Sequence, residues 1–160
     1  MRKSFVATVL AAMLLLALSV TSVLAANPHF LRASASGPSS TGTLTVSFKI
    51  AGLGDNETIT VTASANATAV YACQNNGGHF PTDPKKTEVS GPVSASGDFT
   101  SGQNGQIVGT LTLSPPATTL SCPSGQHRVL VSVSYTNVTV SGGGDTASIA
   151  GTFARTFFTI

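Results

Sequence analysis

The chain has 160 residues, of which only 9% are charged, and its formal charge at neutral pH is +2. Arg2 and Lys3 both lie in an N-terminal leader, so the eight cations become six beyond it, equal to the six carboxylates. That balance provides no basic face for nucleic acid and no electrostatic capture by anionic membranes.

The leader comes first in chain order. Arg2-Lys3 is followed by an apolar stretch from Phe5 to Val20 and by the small residues Ala25 and Ala26. A basic start, an apolar middle and small residues before the cut make a signal peptide over residues 1–25. Cleavage is expected after Ala25 or after Ala26. The apolar part is shorter than the ~20 residues a spanning helix needs. A secreted, extracellular product that leaves the membrane after cleavage is therefore expected.

Residues 26–42 contain Pro28, Gly37, Pro38 and a run of serines, which reads as a flexible lead-in. From residue 43 the pattern changes. Leu44, Val46, Phe48 and Ile50 alternate with Thr45, Ser47 and Lys49, the period of a strand with one buried face. Gly52 to Asn56 reads as a turn. A second strand is predicted around Ile59–Ala65 and a third running to Cys73, with a turn or bulge at Asn66 between them.

Residues 74–86 form the longest irregular stretch, rich in Asn, Gly and Pro. It is the candidate binding loop, with His79, Phe80, Asp83, Lys85 and Lys86 as the side chains able to make contacts. Loops on rigid scaffolds carry function more often than the elements they join. Strand signals from Glu88 to Thr100 are weaker, and Gly91-Pro92 marks an edge or bulge. Asn104-Gly105 is a turn dipeptide, followed by a strand with Ile107, Leu111 and Leu113 on one face.

Val129, Val131, Val133 and Tyr135 form the strongest β signal. The apolar phase then moves to Val138 and Val140, so a bulge belongs near Asn137. Gly142-Gly143-Gly144 reads as a hairpin loop, and a last strand is expected through Ile149, Phe153, Phe157 and Phe158 to Ile160. The mature part has seven or eight strands and no helical pattern. Residues 43–160 are accordingly expected to form one all-β domain, an antiparallel β-sandwich of immunoglobulin-like architecture.

Cys73 and Cys122 are the only cysteines. In an oxidising compartment an even pair reads as one disulfide. The competing use is metal binding. Cys122-Pro123-Ser124-Gly125-Gln126-His127 resembles the copper-ligand loop of cupredoxins, which implies a site drawn from Cys122, His127 and His79. The two uses exclude each other, because a thiolate ligand cannot also be half of a disulfide.

Catalytic patterns are thin. There is no Gly-x-Ser-x-Gly elbow, and six scattered acids offer no paired carboxylates. No cofactor is expected. The expectation is a non-catalytic secreted sandwich that meets an extracellular protein or glycan through its surface loops. The alternatives are a small Cys/His metal-binding sandwich and a carbohydrate- or cell-surface-binding module.

Overall fold

The computed structural model describes residues 26–160; the signal peptide expected over 1–25 lies outside the described residues. Eight strands follow one another with no helix between them: β1 (His29–Ser36), β2 (Leu44–Ala51), β3 (Thr58–Asn75), β4 (Lys86–Thr100), β5 (Ile107–Leu113), β6 (Gln126–Gly142), β7 (Asp145–Ile149) and β8 (Phe153–Thr156). They make two antiparallel sheets. The smaller has the order β1-β2-β5, and the larger β4-β3-β6-β7, with β8 also paired to β6.

Alternation places one face of each sheet in a shared core. β2 contributes Leu44, Val46, Phe48 and Ile50, all at most 2% exposed, and β5 contributes Ile107, Leu111 and Leu113. β6 supplies Val133, Tyr135, Val138 and Val140. β3 supplies Val61 and then a column of small residues, Ala63, Ala65, Ala67 and Ala69. Large side chains from three strands thus pack onto a floor of methyl groups in the fourth. At the margin Phe99 of β4 meets Phe48 edge-to-face, with centroids 5.0 Å apart. Gly109 makes room for this pair, since a Cβ there would stand 2.6 Å from Phe99 and 2.7 Å from Phe48.

Three sequence expectations change. The segment 26–42 is not simply a lead-in. It contains β1, an edge strand paired along most of its length with β2. Ala33 and Ala35 pack on the core from this strand, small enough that the alternation passes for a Ser/Ala linker. The second and third predicted strands are one element, β3, which continues through Asn66 opposite Pro92. The last strand is two, with Gly151 at φ +110° between β7 and β8.

The bulge expected near Asn137 is present. Ser64 pairs with Thr139 and Asn66 with Thr136, so β6 carries one extra residue there. Asn137 takes it up at φ +51°, a left-handed conformation that Asn tolerates better than most residues. The inward phase then switches from Tyr135 to Val138 without breaking the strand. β6 turns into β7 through Gly143 and Gly144, both at positive φ, as a two-residue hairpin of this kind requires.

Candidate functional site

The expected loop closes off the end of the molecule where β3 stops and β4 begins. Its first part is a tight turn organised by Asn75, whose Oδ1 accepts hydrogen bonds from the Gly77 and His79 amides at 3.0 and 2.9 Å. An Asn side chain that binds the backbone two residues on stabilises a turn without help from a partner strand. Beneath it Gln74, 6% exposed, donates from Nε2 to the Gly78 carbonyl at 2.9 Å. The return arm is fixed by the Cys73 amide, which donates to Lys85 O at 2.9 Å.

Cys73 and Cys122 form a disulfide, with their Cα atoms 5.5 Å apart. It ties the end of β3 to the long connection between β5 and β6. That connection is held by two more cations. Lys85 Nζ donates to Ser121 O at 2.8 Å, and Arg128 donates to both Thr118 O and Leu120 O at 3.1 Å. Tyr71 adds a hydrogen bond from its hydroxyl to Pro116 O at 2.8 Å.

The candidate side chains separate by role. Lys85 is a brace, holding a carbonyl rather than reaching outward. His79, Asp83 and Lys86 are exposed. Phe80 is half-buried and stacks edge-to-face on Phe158, centroids 5.5 Å apart. His127 sits opposite Gln74 in the β3–β6 register and is exposed. Both sulfurs lie in the disulfide, so Cys122 is not available as a thiolate and the cupredoxin-like reading loses its central ligand. Among the described residues no group of three His, Cys, Asp or Glu is placed to hold a metal ion.

The residue sequence reasoning missed is Phe158. Beyond β8 the chain leaves the strand, and the Phe157 and Phe158 amides both donate to Val131 O, at 2.8 and 3.3 Å. This turns the two rings along an open groove of about 370 Å³ lined by Ser40, Thr41, Val129, Leu130, Phe157 and Phe158. Arg155 supports it, with its guanidinium 5.1 Å from the Phe157 ring centre and a hydrogen bond to Pro38 O at 3.2 Å. The Phe157-Phe158 pair reads as strand core in the sequence. Its contact with Phe80, 78 positions earlier, leaves no trace in local periodicity.

Two tyrosines have altered acidity. Tyr135 is fully buried and its hydroxyl donates to Gly42 O at 2.7 Å. Burial, reinforced by Tyr71, pushes its pKa up to about 12. Tyr71 is raised for the same reason, loss of water, with Arg128 pulling the other way. Neither phenol faces a reacting group; both act as ties between loops and sheets.

Comparison with protein-family models, with curated proteins and with solved structures finds no match.

Proposed function

We propose that the chain is an exported, non-catalytic binding module of immunoglobulin-like architecture that meets an extracellular protein through the loop end of the sandwich. The strand orders β1-β2-β5 and β4-β3-β6-β7 support the architecture, because they follow the A-B-E and C′-C-F-G arrangement of such sandwiches. The disulfide supports export, since such bonds persist in oxidising compartments. One observation carries the binding reading. The 74–86 loop, its base tied down by the disulfide, meets through Phe80 the Phe158 ring that lines one apolar groove. A braced loop beside an apolar groove offers anchor positions at low entropic cost.

A photo-crosslinking residue in place of His79 tests this on intact producing cells. Its control is the same residue at Asn104, an exposed turn position at the opposite end of the sheets. The expected result is a discrete cross-linked protein from position 79 only, lost when Phe158→Ser removes the groove's outer ring. Equal capture from both positions, or none from position 79, overturns the proposal. The alternative of glycan recognition is favoured by the partly exposed Phe158 ring and predicts retention on a glycan array instead.

A further inference from the structure

The outer face of the three-stranded sheet carries two cations side by side. Register stacks its side chains in cross-strand rows. Arg32 stands opposite Lys49 and Lys49 opposite Val108; in the next row Ser34 stands opposite Ser47 and Ser47 opposite Thr110. Between the two rows lies an open depression of about 370 Å³ lined by these side chains. Strands about 4.8 Å apart, with same-face residues about 6.8 Å along each strand, place the groups within reach of one ligand unit.

Like charges directly opposite each other destabilise a strand pair. No Asp or Glu occurs in β1, β2 or β5. The carboxylate that does reach β1, Asp145, accepts a hydrogen bond from the Phe30 amide at 3.0 Å. Three other cations, Lys85, Arg128 and Arg155, each clamp a backbone carbonyl. No side-chain hydrogen bond among the described residues engages Arg32 or Lys49.

Hydroxyls line the second row. In the larger sheet three hydroxyl pairs between β3 and β4 bond across the strands, Thr58 with Thr100, Thr62 with Ser96 and Thr68 with Ser90, at 2.7–2.9 Å. Ser34, Ser47 and Thr110 make no such bond among the described residues. Two uncompensated cations thus stand beside a row of uncommitted hydroxyls, with the exposed Val108 side chain at the margin.

The geometry points to this face as a binding site for an acidic polysaccharide, with Arg32 and Lys49 holding a carboxylate or sulfate and the hydroxyl row meeting the hydroxyls of the sugar ring. A free small anion fits less well, because the exposed Arg32 and half-buried Lys49 in an open depression are screened by salt and the hydroxyl row would be left unused. Duplex nucleic acid needs a longer basic track than two residues. This inference is independent of the loop-end reading and uses a different sheet.

The test is titration of the full mature chain with polygalacturonate and with dextran sulfate at low ionic strength, against neutral dextran and a DNA duplex. The expected outcome is binding to at least one acidic polysaccharide and none to dextran. The double variant Arg32→Gln/Lys49→Gln should bind about tenfold more weakly, while Arg32→Lys/Lys49→Arg retains binding. Backbone amide shifts on the unsubstituted chain provide a readout independent of variant folding, and should concentrate at residues 32–36, 45–49 and 108–112. Shifts elsewhere, unchanged binding by the glutamine variant, no binding to either acidic polysaccharide, or tighter binding to DNA would each overturn the inference.

Discussion

Tyr135 shows how one polar atom orders a mostly apolar interior. Its ring fills the core between the sheets, and its hydroxyl reaches the Gly42 carbonyl at 2.7 Å just before β2, with the Leu113 carbonyl at 3.4 Å. A buried carbonyl without a donor costs more than an average hydrogen bond is worth. Tyr135→Phe should therefore lower unfolding free energy by about 1–2 kcal/mol in urea titrations. The same hydroxyl makes a pH prediction. The folded pKa is raised to about 12 above an unfolded value near 10, so the unfolded state loses its proton first. Stability should be intact below about pH 10 and fall as pH rises toward 12. The slope should be shallower in Tyr135→Phe, with the remainder due to Tyr71, whose pKa is also raised.

Among the elements, β6 depends on its bulge. Asn137 at φ +51° lets one strand present Tyr135 and Val138 to the same core. Asn137→Gly should leave melting nearly unchanged, whereas Asn137→Val should cost about 1–2 kcal/mol, because a β-branched residue resists that conformation. The disulfide acts on a longer stretch of chain. It spans 49 positions, and the double variant Cys73→Ala/Cys122→Ala should lose about 4 kcal/mol in chemical denaturation if chain entropy governs the effect. Both features were legible in the sequence, the bulge as a phase change in a strong alternating run and the bridge as an even cysteine pair. β1 was not, because Ala33 and Ala35 are too small to stand out between serines. Nor was the continuity of β3, whose inward column is alanine and whose Asn66 reads as a break. The segment between β3 and β4 was legible as a loop, but the groove nearby was not, since it depends on Phe158 arriving from the far end of the chain.

At the scale of the whole molecule, near-neutral charge conceals an uneven distribution. Six acids and six cations remain beyond the leader, yet the smaller sheet holds Arg32 and Lys49 and no carboxylate, while the larger balances Glu88, Asp98 and Asp145 against Lys86, Arg128 and Arg155. Composition alone therefore excludes a globally basic surface without excluding a local one. Cooperativity should be uneven too. β3 and β6 are each flanked by strands on both sides, whereas β7 and β8 share one side of β6 in short ladders. Hydrogen exchange should show amides at residues 61–69 and 133–140 as the slowest and those at 145–156 opening early.

The alanine column of β3 has a consequence for how this protein tolerates change. Ala63, Ala67 and Ala69 are at most 2% exposed, and they let the bulkier strands opposite settle close. Shrinking a residue elsewhere in the core leaves a void that neighbours can partly fill. Enlarging one of these alanines instead drives a wedge into the strand that both neighbouring strands of its sheet depend on. The part of the interior with the least volume is thus the part with the least freedom to vary.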